Sequence, residues 1–181
     1  MNLIAQDLGF FDSICIPLEE PIKDNQLVSP GDPKGRSSVT REEGKLLAAL
    51  CAGRKVLEIG TGLGVSTCCI ASLADLVVSV DPDPWVREHV KTPANVIRVE
   101  RISDAAPLRP YDVVFIDGEH DHESVLRDIR DSTWALKKGG VVAFHDLSQI
   151  AVRLAVEGSS SLFSNVGSFE TCGKLTIGVL A

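Results

Sequence analysis

Glu58-Ile59-Gly60-Thr61-Gly62-Leu63-Gly64-Val65-Ser66-Thr67 is the sharpest local signal in the sequence, because it joins an apolar strand pattern to a helical one. Its glycines allow the backbone to approach a ligand closely. The free amides of the following helix then favour a negative group, which is a phosphate or a carboxylate. The dinucleotide fingerprint needs a glycine at the position of Val65, so the loop departs from the NAD pattern. The alternative is a purely structural strand, turn and capped helix.

Apolar runs typical of strands alternate with helical stretches on both sides of this loop. They cover residues 56–59, 77–80, 96–99, 113–116 and 141–144. Strands joined by crossover helices imply βαβ units and a parallel sheet that is covered on both faces. Two further runs, 166–171 and 175–180, are close enough to pair as an antiparallel ribbon around Gly173. We therefore predict an α/β, doubly wound, mostly parallel seven-stranded sheet with an antiparallel C-terminal strand pair.

Two helices frame the expected site. Thr40 and Glu43 have the spacing of a capping box, which predicts a helix over 40–52. A second helix is predicted over 123–137, and Lys138-Gly139-Gly140 is expected to end it and start the fifth strand. Helical periodicity predicts an inward face and a solvated, charged face. The inward residues are Val125, Leu126, Ile129 and Trp134, and the outward ones are Arg127, Asp128, Arg130 and Asp131.

The size and charge of the chain restrict its organisation and its partners. The 181 residues suffice for one domain, which we place at 37–181. Residues 1–36 contain four of the nine prolines without sustained periodicity, which predicts an irregular arm or lid. The net charge of −7 argues against nucleic acid as a partner. We expect a cytoplasmic protein because no apolar run has the length of a membrane span.

The glycine loop closely resembles motif I of the class I S-adenosylmethionine-dependent methyltransferases. That resemblance implies a Rossmann-like fold in which Gly60 and Gly62 pass close to the methionine and ribose of the cofactor. It implies that Ser66 holds the methionine carboxylate and that Asp81, at the end of the second strand, binds the ribose hydroxyls. The remaining residues that it assigns to the cofactor are Val39, Glu58, Thr61, Ile102, Ser103 and Asp117, with Asp104 as the weakest assignment.

Acidic and imidazole groups follow the fourth and fifth strands, at the edge where open α/β sheets bind their ligands. The two segments are Phe115-Ile116-Asp117-Gly118-Glu119-His120-Asp121-His122 and Phe144-His145-Asp146-Leu147. Such groups can bind a metal, move a proton or orient a cationic ligand. Composition alone does not choose among these three roles.

Four segments, including the glycine loop, resemble the small-molecule O-methyltransferase branch, which contains catechol, caffeoyl-CoA and macrocin O-methyltransferase-like groups. The other three are Thr40-Arg41-Glu42-Glu43-Gly44, Ser79-Val80-Asp81-Pro82-Asp83 and Tyr111-Asp112-Val113-Val114-Phe115-Ile116-Asp117-Gly118. In metal-dependent members the equivalents of Asp117, His145 and Asp146 bind a divalent cation such as Mg or Mn. His145 departs from the carboxylate of catechol-type relatives. Two carboxylates with one imidazole suit Mn, Fe or Zn better than Mg.

His120 stands where the catechol-type enzymes carry a lysine that acts as general base. An imidazole takes up a proton near neutral pH, so His120 is a candidate base and His145 a second candidate catalytic residue. The alternatives are a solvated His120 and an Asp117 that contacts the methionine amino group or caps a loop. His145-Asp146 would then cap the next helix. For His122 we favour the solvated interpretation.

The sequence therefore predicts methyl transfer from S-adenosylmethionine to an oxygen of a small molecule. We expect the arm to select the substrate, with Phe10 and Phe11 covering the pocket, and the resemblance implies a homodimer. The alternatives are an NAD-dependent oxidoreductase, to which Asp81 alone would be suited, and a non-catalytic module that binds adenosylmethionine.

Overall fold

The computed structural model describes residues 39–168 and 176–180, so the predicted arm with Phe10 and Phe11 lies outside the described residues. The described helices are α1 (Arg41–Cys51), α2 (Val65–Ala71), α3 (Pro84–His89), α4 (Ile102–Ala105), α5 (His122–Ala135) and α6 (Ile150–Gly158). The described strands are β1 (Lys55–Ile59), β2 (Leu76–Val80), β3 (Val96–Val99), β4 (Tyr111–Ile116), β5 (Leu136–Phe144), β6 (Phe163–Ser168) and β7 (Thr176–Leu180).

The strands form one sheet in the order β3-β2-β1-β4-β5-β7-β6. Strands β1 to β5 are parallel, whereas β7 runs antiparallel to both β5 and β6. The predicted α/β fold with a parallel five-stranded sheet is confirmed. The chain order reverses between β1 and β4, which is the switch point where a doubly wound sheet leaves a crevice for a ligand.

Four of the predicted site residues are aligned at this crevice by the backbone ladder. The ladder extends one residue past each strand, with Gly60 N bonded to Val80 O and Asp81 N bonded to Val99 O. In the same way Asp117 N is bonded to Ile59 O, at 2.9 Å, and His145 N to Ile116 O, at 3.1 Å. The first residues after β1, β2, β4 and β5 therefore share one edge of the sheet.

Two apolar clusters cover the two faces of the sheet, as the strand alternation requires. One face packs Val56, Val113 and Phe115 against the helices α1 and α2. The other packs Leu57, Val114 and Phe144 against α5 and α6. With both faces covered, the crevice at the strand ends is the place left open to a ligand.

Helix α1 begins as the capping box predicts. The Thr40 hydroxyl accepts from Glu43 N at 3.2 Å, and the Glu43 carboxylate accepts from Thr40 N at 2.7 Å. Each side chain thereby satisfies an amide that the helix leaves unpaired. The predicted helix over 40–52 is confirmed.

The boundary between α5 and β5 was predicted wrongly. Helix α5 ends at Ala135, and Lys138-Gly139-Gly140 lies inside β5. Leu136 pairs with Tyr111, and a register shift follows before Val141 pairs with Val113. The ion pair of 2.5 Å between Lys137 and Asp112 reinforces this early pairing. Tertiary pairing thus overrides the local helix-stop signal.

The predicted faces of α5 also need correction. Val125 and Ile129 are buried as expected, but Leu126 is 37% exposed and Trp134 is 48% exposed. Asp128, expected on the solvated face, is only 9% exposed. Trp134 instead lies under the guanidinium of Arg109, whose central carbon is 3.8 Å from the ring centroid. The buried face is rotated relative to the predicted one, and its residues are Val125, Asp128, Ile129, Ser132 and Ala135.

The C-terminal ribbon is described in part. Strand β6 begins at Phe163, earlier than predicted, and pairs with β7 between Phe163↔Leu180 and Ser168↔Thr176. The connection around Gly173 lies outside the described residues. No helix among the described residues combines the length and the apolar composition that a membrane span needs.

Candidate active site

The glycine loop turns sharply between β1 and α2. Gly60, Gly62 and Gly64 have φ values of 96°, 48° and 79°, a region that favours glycine. At Gly60 a side chain is also excluded by space, because a Cβ atom would overlap the backbone of Asp117 and Gly118. The loop is thus held closely against the end of β4.

Glu58, which the sequence assigned to the cofactor site, lies buried beneath the loop. It is fully buried and accepts hydrogen bonds from Ser66 at 2.7 Å, Thr67 at 2.6 Å and Ser79 at 2.5 Å. Burial raises the pKa of Glu58 to about 7, against the opposing effect of the three hydroxyl donors. Glu58 does not line the cleft, so it ties β1, β2 and α2 together rather than contacting a ligand directly.

Asp81 braces the opposite side of the loop. One carboxylate oxygen accepts from Gly62 N at 2.9 Å and the other from Asp83 N at 2.9 Å. These two bonds fix the carboxylate at the end of β2, within the cleft. Asp104 is bonded to Arg101 N at 3.1 Å and does not line the cleft.

A cleft of about 1000 Å³ runs along this edge of the sheet. The predicted site residues that line it are Gly60, Thr61, Gly62, Ser66, Asp81, Ile102, Ser103, Asp117, His120, His145 and Asp146. Val39 does not line it, because its side chain is completely buried in the core cluster below. The hydroxyl of Ser66 faces Glu58, and that of Thr61 lies 2.6 Å from the Ser79 hydroxyl.

At one end of the cleft Asp117, His120 and Asp146 converge. The Nε2 atom of His120 lies 3.5 Å from Asp117 Oδ1 and 3.5 Å from Asp146 Oδ2. One ligand atom from each of these residues falls within 4.8 Å of the others, the arrangement of a metal site. This Nε2 atom is buried and makes no hydrogen bond. The sequence placed His145 in this set, whereas the structure brings in His120.

His145 lies deeper, with both ring nitrogens facing carboxylates. Its side chain is 3% exposed, with Nε2 located 3.3 Å from Glu43 Oε2 and Nδ1 located 3.2 Å from Asp117 Oδ1. Burial lowers the pKa of His145, but Asp117, Asp146 and Glu43 outweigh it and raise that pKa to about 11. These carboxylates favour the protonated ring, and Nδ1, although it faces Asp117 and Asp146, makes no hydrogen bond among the described residues.

The same charges act on the neighbouring groups. Burial raises the pKa of Asp117, but His120 and His145 outweigh this effect and lower it below its ordinary value. The Asp117 carboxylate in turn raises the pKa of His120. Asp146 has a φ of 57°, the left-handed conformation that non-glycine residues rarely adopt. The cluster thus combines coupled charges with an unusual backbone.

Sequence reasoning missed two residues of this cluster. The Gln149 side chain contacts His120 Nδ1 at 2.9 Å and donates to Asp146 at 3.4 Å. Its position three residues after Asp146 was the available signal. Glu43 was explained as a helix cap, and nothing local indicates its contact with a histidine 102 residues later.

The family of the chain follows from its match to a known family model. Residues 57–147, which are half of the chain, match the model described as a methyltransferase domain. The chain belongs to this methyltransferase family. This methyltransferase is an S-adenosylmethionine-dependent enzyme. The alternative prediction of an NAD-dependent oxidoreductase is therefore wrong. No curated protein sequence matches the chain.

Solved structures share the fold of this methyltransferase at low sequence identity. The Bacillus cereus O-methyltransferase in complex with SAH has a TM-score of 0.61 and 18% identity, covering 80% of this chain and 83% of its own. The tRNA (m1A58) methyltransferase TrmI from Aquifex aeolicus has a TM-score of 0.64 and 16% identity, covering 83% and 73%. MycE methyltransferase, in complex with Mg, SAH and mycinamycin VI, has a TM-score of 0.60 and 15% identity, covering 78% and 48%.

Proposed function

We propose that this enzyme transfers the methyl group of S-adenosylmethionine to a hydroxyl oxygen of a small molecule. The convergence of Asp117, His120 and Asp146 at the end of the cleft carries the proposal. These groups lie beside the glycine loop, where an acceptor would meet the methyl group. The O-methyltransferase of Bacillus cereus and MycE, which share the fold, support this class of reaction.

The cofactor would lie along the glycine loop. Gly60, Thr61 and Gly62 would contact its methionine and ribose, because all three line the cleft and the two glycines carry no side chain. The Asp81 carboxylate would accept hydrogen bonds from the ribose hydroxyls. Ile102 and Ser103 would border the adenine, and Asp117 the amino group. Ser66, which lines the cleft at the start of α2, would face the methionine carboxylate, whereas Glu58 and Val39 would act from below by holding the loop and the core beneath it.

The cluster has the donor set for a divalent cation. Two carboxylates and an imidazole suit Mn, Fe or Zn better than Mg. The buried Nε2 atom of His120 has no hydrogen-bond partner among the described residues and lies 3.5 Å from a carboxylate oxygen of Asp117 and of Asp146. We propose Asp117, His120 and Asp146 as the ligands. His145 is less suited, because its nitrogens face Glu43 and Asp117. A bound cation would lower the pKa of the acceptor hydroxyl.

His120 could instead act as the general base that the resemblance implies. Both roles use the same Nε2 atom, so they exclude each other within one catalytic cycle. The nearby Asp117 carboxylate raises the pKa of His120, which reduces the fraction of neutral imidazole near pH 7. A metal ligand must also be neutral, so this pKa does not separate the two roles, and we place the metal first because Nε2 lies 3.5 Å from both Asp117 and Asp146.

The reaction itself needs alignment and an acceptor oxyanion. The oxygen lone pair forms the new bond to the methyl carbon while the carbon–sulfur bond breaks and its electrons return to sulfur. The acceptor proton leaves to the base or to water. An oxyanion and a sulfonium cation neutralise each other as they react. Holding the two in line therefore supplies most of the rate acceleration. The loop and Asp81 would hold the cofactor, and the cluster would hold the acceptor.

Charge supports a small-molecule acceptor over a nucleic acid. The chain has a net charge of −7, and the acids Asp81, Asp83, Glu119 and Asp131 line the cleft. A phosphate backbone would be repelled there.

The proposal also includes the predicted homodimer and the irregular arm or lid over 1–36. It includes the predicted seven-stranded sheet with an antiparallel C-terminal strand pair as well.

A methyl-transfer screen tests the proposal. The purified chain is incubated with labelled S-adenosylmethionine and a panel of phenols, catechols and hydroxy acids, with EDTA, Mg or Mn. We expect transfer to a hydroxyl compound that is stronger with Mn and is lost with EDTA. Transfer that is insensitive to EDTA and lost in His120→Ala would favour the base. Binding of S-adenosylhomocysteine without transfer to any hydroxyl compound of the panel would contradict O-methylation of a small molecule.

A further inference from the structure

The carboxylate of Glu43 occupies an unusual place for a helix-capping residue. Acids in the first turn of a helix usually reach their capping position from the solvent side and remain hydrated. Glu43 is instead completely buried, with Oε2 bonded to Thr40 N. Its other oxygen, Oε1, has no hydrogen-bond partner in the described structure. A buried oxygen without a partner costs free energy, so capping alone does not explain this placement.

The same Oε2 atom also contacts the active-site cluster. It lies 3.3 Å from Nε2 of His145, a residue at the end of β5. A single buried oxygen therefore joins the first turn of α1 to the strand edge that carries the cluster. The contact with His145 explains why Glu43 is buried, which its capping role alone does not explain.

His145 transmits this contact to the proposed metal ligands. Its Nδ1 atom, on the opposite side of the ring, lies 3.2 Å from Asp117 Oδ1 and 3.5 Å from Asp146 Oδ1. An imidazole held at one nitrogen has its other nitrogen aimed in a fixed direction. In metal sites such outer partners orient the ligating groups and tune the affinity.

We propose that Glu43 is a positioning residue, which orients His145 so that the carboxylates of Asp117 and Asp146 face His120. Its metal-binding consequence rests on the proposed function, whereas its effect on the His145 ring does not. The residue acts through His145 and contacts neither cofactor nor acceptor.

The test compares variants that change the cap, the contact or both in the full chain. Thr40→Ala removes the hydroxyl that Glu43 N bonds but leaves the Glu43 carboxylate beside His145. Glu43→Gln replaces that carboxylate with a neutral amide, and Glu43→Asp shortens its reach by one methylene. Thr40→Ala and Glu43→Asp weaken the cap, so their melting temperatures should fall together, whereas Glu43→Gln keeps an oxygen that accepts from Thr40 N. Either Glu43 variant suffices if the other does not fold.

The first readout is the ring proton of His145 in ¹H–¹⁵N spectra. The chain has only four histidines, so single His→Gln variants can assign each signal. We expect the Nε2 proton of His145 to be protected from exchange in the wild type and in Thr40→Ala. It should lose protection in both Glu43 variants. Unchanged protection in a folded Glu43 variant would overturn the proposal.

The second readout is the affinity for Mn²⁺ by calorimetry. Loss of an outer-shell partner typically lowers metal affinity by about 10- to 100-fold. We expect such a loss in the Glu43 variants and a change below about twofold in Thr40→Ala. Equal losses in all variants would assign Glu43 a structural role and overturn the proposal. A wild type that binds no Mn²⁺ would refute the metal site instead, and the His145 signal would still decide the role of Glu43.

Discussion

Gly60 and Asp117 are in such close backbone contact that a Cβ atom on Gly60 would overlap the Asp117 carbonyl group. The contact joins the loop after β1 to the residue after β4. Because Asp117 is also one of the proposed metal ligands, the glycine loop and the proposed acceptor end of the cleft meet at this contact. Changes at Gly60 should therefore affect both ends.

Gly60→Ala should destabilise the fold strongly. The new methyl group meets backbone rather than a flexible side chain, and overpacking of this kind costs about 1–3 kcal/mol. The left-handed φ of 96° adds roughly 1–2 kcal/mol. Urea denaturation measures the sum as a loss in the free energy of unfolding.

Gly53→Ala is the matched control for this substitution. Gly53 also has a positive φ, of 62°, but no atom lies within 4 Å of its Cβ position. It should therefore lose only the backbone cost of roughly 1–2 kcal/mol. Equal losses in the two variants would show that the loop moves away from Asp117 without cost.

The pH dependence of stability should carry a contribution from Glu58. Burial raises the pKa of Glu58 from 4.5 to about 7 in the folded chain. Below pH 4.5 Glu58 is protonated in both the folded and the unfolded chain, and its full contribution to the free energy of unfolding is present. As the pH rises to about 7 this contribution is lost, because Glu58 ionises in the unfolded chain before it ionises in the folded one. Relative to Glu58→Gln, the free energy of unfolding of the wild type should fall by on the order of 3 kcal/mol over that window. Parallel pH profiles in urea denaturation would contradict the raised pKa.

Local patterns predicted the parts of the fold that local interactions determine. The apolar runs, the glycine loop and the capping box of Thr40 and Glu43 each depend on residues within a few positions. The start of β5 depends instead on the pairing of Leu136 with Tyr111, and the burial of Asp128 on the packing of α5. The contact of Glu43 with His145 was invisible for a further reason. The capping pattern already explained Glu43, so the sequence offered no unexplained acid to assign.

His120→Ala should abolish the binding of Mn²⁺ while leaving the affinity for S-adenosylhomocysteine within about twofold. Removal of a ligand should cost more than the 10- to 100-fold typical of an outer-shell partner. His122→Ala is the control, because His122 is exposed at the start of α5. Calorimetry measures both affinities. Full Mn²⁺ binding by His120→Ala, together with lost methyl transfer, would reassign His120 as the base.

Asp81→Asn should weaken the binding of S-adenosylhomocysteine by roughly 10- to 100-fold. Hydrogen bonds to a charged group contribute about 1.5–3 kcal/mol, and the amide presents one acceptor where the carboxylate presents two. The loop also loses part of the support that Gly62 N receives from Asp81. Asp104→Asn, outside the cleft lining, should leave the affinity unchanged. Equal affinities for the two variants would remove Asp81 from the cofactor site.

The left-handed backbone of Asp146 should separate two substitutions that remove the same carboxylate. Asp146→Gly loses the proposed metal ligand but adopts a φ of 57° without strain. Asp146→Ala loses the ligand and keeps a conformation that costs about 1–2 kcal/mol for a residue with a Cβ atom. Glycine also makes the unfolded chain more flexible, which reduces the difference in stability between the two variants by about 0.4–1 kcal/mol. Urea denaturation should therefore find Asp146→Gly more stable than Asp146→Ala, with Mn²⁺ binding lost in both. Equal stability of the two variants would mean that the left-handed conformation costs no more than the roughly 0.4–1 kcal/mol lost with glycine, and would contradict the strain assigned to Asp146.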